Sequence, residues 1–199
     1  MKYRYLAALA IVGAIGLSAC GDDSSSSTQS AADTTLTPAV TNPRRADFND
    51  ADVVFAQSMI PHHQQAIEMA DMALDPNVGA SDQVRELATR IKGGQDPEIA
   101  MMTGWLTAWG QPMSMDAGHD MGSMDGMMSS AEMDEMGAMT GTAFDKMWME
   151  LMIRHHEGAI TMAQTVKTDG QNPDVLALAD QVVTAQQGEI DEMKALLGG

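Results

Sequence analysis

The sequence predicts an all-α fold, a four-helix bundle built from two copies of one helical hairpin. Residues 59–70 and 152–163 are identical at eight of twelve positions at an offset of 93, and a second matching segment follows each at an offset of 91. Apolar residues recur with the 3.6-residue period of an amphipathic helix, and no segment alternates with the period of a strand. Because one hairpin cannot bury its apolar stripe alone, we expect the two to pack about a pseudo-twofold axis.

The N-terminus predicts export and a lipid anchor. An uncharged stretch at 6–17 is shorter than the roughly 20 residues of a membrane-spanning helix, as in a signal peptide. Leu17-Ser18-Ala19-Cys20 resembles the bacterial lipoprotein cleavage box, in which the cysteine becomes lipidated and N-terminal. We therefore predict a lipoprotein signal peptide over 1–19 and lipidation of Cys20. Ordinary secretion with an incidental cysteine is the alternative.

Residues 20–45 are predicted to be a disordered tether that is rich in Ser, Thr and Pro, because they hold too little apolar surface to offset the entropy of ordering. Residues 46–199 suit one domain with one core, and this domain includes a Met-rich insert at 111–141. Removal of the signal peptide leaves 9 basic and 28 acidic residues. Such a surface repels nucleic acid and attracts cations.

Start and stop signals place four helices in the domain. The first ends at Asp75-Pro76-Asn77, and Ser81 is positioned to cap the second. Gly93, Gly94 and Pro97 predict a kink in that second helix. The third helix, the turn and the fourth helix are predicted at 144–166, 170–173 and 174–197.

Each copy of the repeat carries two adjacent histidines. Neighbouring helical residues point about 100° apart, so His63 and His156 are predicted near the centre of the apolar arc and His62 and His155 at its edge. A methionine four residues before each central histidine and an aspartate eleven before it share its face. If the hairpins pair symmetrically, these side chains converge in the interior. The converging residues are Asp52, Met59, His63, Asp145, Met152 and His156.

Two interpretations of the doublets stay open. The imidazoles, thioethers and carboxylates are metal ligands, or each inward histidine is a core residue hydrogen-bonded to its own aspartate or to Gln95 or Gln186. Asp52 and Asp145 can also satisfy backbone amides near the starts of their helices.

The join between the hairpins is rich in methionine. Nine of the 27 residues at 113–139 are methionine, six are acidic and none is basic. Intervening glycines and aspartates leave no continuous apolar face, so we expect these methionines to be exposed ligands rather than core. An adaptable Met-rich surface that grips a protein partner is the alternative. The candidate ligands here are Met113, Met115, His119, Met121, Met124, Met127 and Met128.

The donor types favour copper. Thioether sulfur is soft and selects Cu(I), whereas imidazole and carboxylate accommodate Cu(II). Zinc is disfavoured because a closed structural site uses four Cys or His ligands and no cysteine remains after lipidation of Cys20. A ferritin-type di-iron centre requires Glu-x-x-His pairs on two helices, and the sequence has no such pair. The sequence also lacks a phosphate-binding loop and a nucleophile with its base, so we expect no enzymatic activity.

The motif Met59-Ile-Pro-His-His-x-x-Ala-Ile-x-Met-Ala and its second copy resemble the domain of unknown function 305 family. The resemblance extends from about Ala46 to Leu197 and includes Gln95-x-x-Glu98-Ile99-x-x-Met102 with its echo at 186–193. It implies a ferritin-like helical bundle and export. Some members resemble periplasmic copper-binding proteins of metal resistance, and this implies as ligands Met59, His62, His63, Met152, His155 and His156.

The sequence therefore predicts a non-enzymatic lipoprotein outside the cytoplasm that sequesters or passes on copper. Its expected partners are a metal ion and, through the lipid anchor, a membrane. A structural or interaction bundle for a protein of the cell envelope is the first alternative. A metal-dependent oxidoreductase is the second.

Overall fold

Five helices and no strand make up residues 47–114 and 125–198, the part of the chain that the computed structural model describes. The all-α prediction is confirmed for these residues. The predicted signal peptide, Cys20 and the tether lie outside them. No described helix is long and apolar enough to cross a lipid bilayer. The helices are α1 (Asp50–Leu74), α2 (Asp82–Trp109), α3 (Ser130–Gly137), α4 (Gly141–Asp169) and α5 (Pro173–Gly198).

The four long helices form two hairpins. α1 packs along α2, α4 packs along α5, and the hairpins meet through α1 and α4. Ser81 caps α2 as predicted, with its hydroxyl oxygen accepting a hydrogen bond from the N–H of Val84 at 3.4 Å. α2 continues through Gly93, Gly94 and Pro97, so these residues do not end the helix.

α3 is a short helix that the sequence prediction omits. It starts with a capping box, in which the Ser129 hydroxyl accepts from the N–H of Glu132 and the Glu132 carboxylate accepts from the N–H of Ser129. Met133 and Met136 on this helix are buried, as is Met128 just before it. The prediction that the methionines of the join are exposed is therefore wrong for these three. Helix formation places Met133 and Met136 on one apolar face, and Met128 packs in the same apolar cluster.

Two aspartates at equivalent repeat positions tie each hairpin to the turn of the other. The fully buried carboxylate of Asp52, near the start of α1, accepts from the N–H groups of Gln171 and Asn172 at 3.2–3.3 Å. Those two residues lie in the turn between α4 and α5. Asp145, near the start of α4, accepts from the N–H of Ser81 at 3.1 Å, in the turn between α1 and α2. Both carboxylates therefore satisfy backbone amides, one of the two roles that the sequence left open.

Two apolar clusters fill the interior, and polar residues lie between them. One cluster contains residues 66–73 of α1 with residues 144–152 of α4, and the other contains residues 53–60 of α1 with residues 159–166 of α4. The histidine doublets at 62–63 and 155–156 fall between these stretches, and all four side chains are fully buried. We call this central region the polar layer.

Replacing Asp52 by alanine would leave the buried N–H of Asn172 and the partly buried N–H of Gln171 without an acceptor. We expect Asp52→Ala to lower the free energy of unfolding by about 2 kcal/mol, because an unsatisfied buried donor costs about 1–3 kcal/mol. Asp50→Ala is the matched control, since Asp50 is exposed in the same helical turn, and we expect it to change stability by less than about 0.5 kcal/mol. Urea unfolding followed by circular dichroism measures both. Equal losses would contradict the link between the hairpins.

Candidate metal centre

The centre of the polar layer is a pair of stacked imidazoles, His62 from α1 and His155 from α4. Their ring centroids are 3.7 Å apart, and the ring planes differ by 36°. The two residues are equivalent in the repeat, so the contact joins the two copies. The predicted convergence of His63 and His156 between the hairpins is therefore wrong, and the histidines at the edge of the apolar arc meet instead. They do so because α1 and α4 are covered both by their hairpin partners and by each other. That double coverage buries the edge of each helix as fully as its centre.

The other two histidines point to the second helix of their own hairpin. Nε2 of His63 lies 2.6 Å from Oε2 of Glu98 on α2, and Nε2 of His156 lies 2.7 Å from Oε2 of Glu189 on α5. An ionised carboxylate can only accept, so the imidazole N–H donates in both dyads. Sequence reasoning offered the glutamines three residues earlier as partners and missed these glutamates. Their equivalence in the two copies was the available signal.

Several buried polar atoms of the layer have no hydrogen-bond partner among the residues that the structure describes. Such atoms are uncommon in folded proteins, because each costs about 1–3 kcal/mol. A bound ion or an ordered water is the usual partner of such a group. The polar layer therefore contains more buried hydrogen-bonding atoms than its described residues can pair. The atoms are Nδ1 of all four histidines, Nε2 of His155, both amide atoms of Gln95 and Oε1 of Gln186.

Burial keeps the central pair neutral. Loss of hydration, together with the neighbouring His63 and His156, lowers the pKa of His62 to about 3, although its hydrogen bond to a backbone carbonyl acts in the opposite direction. Burial first and His62 second hold the pKa of His155 well below its ordinary value. Neutral imidazole retains a lone pair on one ring nitrogen, and this is the form that binds metal ions.

The last part of the join lies directly on the central pair. Nε2 of His62 donates a hydrogen bond to the carbonyl oxygen of Asp125 at 3.3 Å. Three residues later, the Gln65 amide exchanges two hydrogen bonds with the backbone of Met128, at 2.9 and 2.7 Å. Between these contacts, Gly126 lies against the backbone of α4. We call residues 125–128 the strap.

The structure does not gather the other predicted ligands of the helices around the pair. Met59 and Met152 are fully buried, but they belong to different apolar clusters. Asp52 and Asp145 bond to backbone amides near the starts of α1 and α4. Within residues 47–114 and 125–198, no group of three or more His, Cys, Asp or Glu side chains is arranged to hold a metal ion.

The predicted ligands of the join are in varied surroundings. Met113 is exposed and Met127 is half-buried. Met128 is buried, with Sδ 2.8 Å from Nη2 of Arg154. The remaining candidates lie outside the described residues, and their role as ligands stays a prediction. They are Met115, His119, Met121 and Met124.

The neutral pair predicts a fold that loses stability in acid. An unfolded histidine protonates near pH 6.5, whereas folded His62 protonates near pH 3. The unfolded chain therefore binds more protons between these values, and stability falls as the pH falls. We expect the metal-free protein to lose up to about 1.4 kcal/mol per pH unit for each such histidine below about pH 6.5.

Urea unfolding between about pH 7.5 and about pH 5 measures this dependence, above the range in which most carboxylates titrate. The double variant His62→Leu/His155→Leu is the control, because it removes both titrating rings, and the one group that loses a partner, the carbonyl of Asp125, does not titrate. We expect it to show a shallower dependence on pH. An unchanged slope would assign the acid sensitivity to other groups.

The chain is similar to several proteins of known structure. The chain is 34% identical to a protein from Streptomyces coelicolor that is thought to be secreted, over 74% of this chain and 92% of that one, with a TM-score of 0.69. It is 32% identical to CopM in its Cu(II)-bound form, over 74% and 95% of the two chains, with a TM-score of 0.62. CopM has also been crystallised in Cu(I)- and Ag-bound forms.

A viral protein is similar over a shorter stretch. The uncharacterized protein L153 of Acanthamoeba polyphaga mimivirus is 38% identical over 53 residues, which are 27% of this chain and 35% of the viral protein. The chain thus spans about a third of the length of this curated relative. Residues 52–197 match the family described as Domain of unknown function (DUF305), and both the S. coelicolor protein and CopM are at least 30% identical over most of their length. The chain belongs to the DUF305 family.

Proposed function

We propose that this protein is a copper-binding lipoprotein of the cell envelope, with a ferritin-like four-helix bundle whose His62–His155 pair binds the metal. One observation carries the proposal: two buried imidazoles from equivalent repeat positions meet at one point, and Nδ1 of His62 and at least one ring nitrogen of His155 have no described partner. Similarity to CopM, which crystallises with Cu(I), Cu(II) and Ag, favours a soft or borderline ion. Copper is the cargo of such a protein and not the cofactor of a reaction.

The donor chemistry around the pair fits copper better than a hard cation. Ca²⁺ binds roughly six to eight oxygen ligands, and Mg²⁺ requires a near-octahedral set of oxygens. Among the described residues, no carboxylate is hydrogen-bonded to His62 or His155, so the oxygen ligands that these ions need are not next to the pair. Met59 and Met152 each lie one helical turn before a member of the pair, but their side chains pack in separate apolar clusters, so either thioether would have to turn towards the pair to bind the ion. Thioether and neutral imidazole together suit Cu(I), and imidazole alone suits Cu(II).

The stacked contact shows what binding would require. Imidazole nitrogen lies about 2.0–2.1 Å from a bound borderline metal such as zinc, so an ion shared by two rings needs their nitrogens about 4 Å apart on either side of it. Rings with centroids 3.7 Å apart leave no room between them for an ion. Metal binding at the pair therefore goes with rotation of the rings out of their stacked contact.

The location and the absence of enzymatic activity belong to the same proposal. A signal peptide over residues 1–19 would direct export, and a lipidated Cys20 would then hold the bundle at the outer side of a membrane. This location suits a protein that is similar to one thought to be secreted. There the bundle would sequester copper or pass it on, without turning over a substrate. The thioethers keep their ligand form in an oxidising compartment, where free thiols pair as disulfides.

A metal-free interaction bundle is the second candidate function. It is favoured by the contacts that the four histidines make without a metal ion, since two rings stack on each other and the other two bond to glutamates. In that case the predicted Met-rich surface would serve a protein partner of the envelope. Binding of such a partner in the presence of a strong metal chelator would distinguish it from the copper proposal.

The double variant His62→Leu/His155→Leu tests the metal site. We expect it to bind Cu(I) at least about 100-fold more weakly in competition with a chromogenic chelator, since even residues that only support a ligand contribute about 10–100-fold. Met59→Leu and Met152→Leu test the thioethers singly with little change in volume. Met102→Leu is their matched control, because Met102 is fully buried on α2. Unchanged affinity in the histidine variant would refute the site.

Replacement of Cys20 tests the anchor. In a bacterial host that processes lipoproteins, we expect the full chain to partition into the detergent phase and Cys20→Ser to remain in the aqueous phase, because the serine hydroxyl cannot form the thioether. Ser25→Ala, in the predicted tether, is the control and should partition like the unchanged chain. Detergent partitioning of Cys20→Ser would contradict lipidation at this residue.

A further inference from the structure

We propose that the strap, Asp125–Met128, is a built-in plug over the His62–His155 pair, and that a metal ion reaches the pair only after the strap has left its seat. The identity of the ion rests on the proposed function. The seating of the strap does not, since it follows from contacts within the chain.

The first of these contacts is a direct competition at His62. Its Nε2 donates to the carbonyl oxygen of Asp125, so the proton of this ring nitrogen is committed to the strap. A metal ion at the same nitrogen needs the lone pair that the proton occupies. Binding of metal through Nε2 and hydrogen bonding to the strap therefore exclude each other.

The second contact is a backbone-to-backbone seat on α4, beside His155. A Cβ atom on Gly158 would lie 2.0 Å from the carbonyl oxygen of Asp125 and 2.8 Å from Cα of Gly126. Gly126 has a φ of +83°, and a Cβ on it would lie 2.7 Å from the carbonyl oxygen of Arg154. Both positions thus require glycine, and no water-sized gap separates the strap from this turn of α4.

The third contact holds the far end of the strap. The side-chain amide of Gln65 donates to the carbonyl oxygen of Met128 and accepts from its N–H, at 2.9 and 2.7 Å. Arg154 donates to the Met128 sulfur at 2.8 Å and to Oε1 of Glu132 at 2.5 Å. The strap is therefore fixed to α1 at both ends and to α4 along its length.

The differences between the two repeat copies point to the same conclusion. The copies differ at four of twelve positions, and two of these differences build the seat. Gln65 in the first copy is equivalent to Gly158 in the second, and Pro61 is equivalent to Arg154. The strap crosses the two copies only once, so it presents different residues to each of them. The first copy holds it with the Gln65 amide, and the second leaves space for it at Gly158. The histidines beneath, which the strap covers jointly, are unchanged.

Gly158→Ala tests the plug because the added Cβ would displace the Asp125 carbonyl. Alanine favours a helix over glycine by about 1 kcal/mol, so α4 itself is not weakened. Gly188→Ala on α5 is the matched control, since a Cβ there meets nothing within 4 Å. Gln65→Ala provides a second variant without a steric clash, and Gln64→Ala, at the exposed neighbouring position, is its control.

The first measurement uses the metal-free protein with diethyl pyrocarbonate, which acylates accessible neutral imidazole, and locates the modified residues by mass spectrometry. We expect His62 and His155 to react at least about tenfold faster in Gly158→Ala and in Gln65→Ala than in the unchanged chain, equivalent to about 1.4 kcal/mol in the opening equilibrium. Both controls should react at the unchanged rate. Unchanged rates in both strap variants would overturn the plug.

The second measurement is the rate of Cu(I) uptake by the same proteins in a stopped-flow experiment. Faster uptake by the strap variants than by their controls supports the plug at a copper site. Copper uptake that is equally fast in every variant overturns the plug and leaves the copper function standing. Faster acylation in proteins that take up no copper supports the plug and refutes the proposed function.

Discussion

The contact between His62 and His155 lies at the centre of the α1–α4 packing that joins the two hairpins, and it constrains the rest of the polar layer. Two imidazolium ions at this distance would repel each other and would have lost their hydration, so the contact is stable only while both rings are neutral. The adjacent histidines then face away from the contact, and each finds a carboxylate on its own hairpin, Glu98 or Glu189. The stacked pair is therefore flanked by one histidine–glutamate pair in each hairpin, His63–Glu98 and His156–Glu189.

The strap breaks the symmetry that the repeat creates. One chain segment cannot present the same groups to both halves, so its seat consists of a glycine on one side and a glutamine on the other. The repeat explains why four histidines are buried together, whereas the departures from the repeat explain what covers them. In this molecule the positions that differ between the copies are as informative as those that agree.

The amino-acid pattern predicts the helices well because the apolar period, the Asp75-Pro76-Asn77 turn and the Ser81 cap are local signals. It predicts convergence of His63 and His156 where His62 and His155 meet, because the buried arc of a helix depends on how many neighbours cover it, and α1 and α4 each have two. It misses α3 although Ser129-x-x-Glu132 is a recognisable capping box. The glycines before this motif led to the prediction that the whole join has no apolar helical face. The seat of the strap could not be predicted, because residues 125 and 158 meet only in the folded chain.

The crossed carboxylates make each hairpin depend on the other, because Asp52 reaches the turn of the second hairpin and Asp145 reaches the turn of the first. Either hairpin alone would lack the acceptor that its own turn uses, so an isolated half-length chain would complete itself only against a second molecule of its kind. The single chain supplies both carboxylates itself. It can also carry different residues at equivalent positions, such as Gln65 and Gly158, which two identical chains could not do, and one asymmetric strap can therefore sit on both halves.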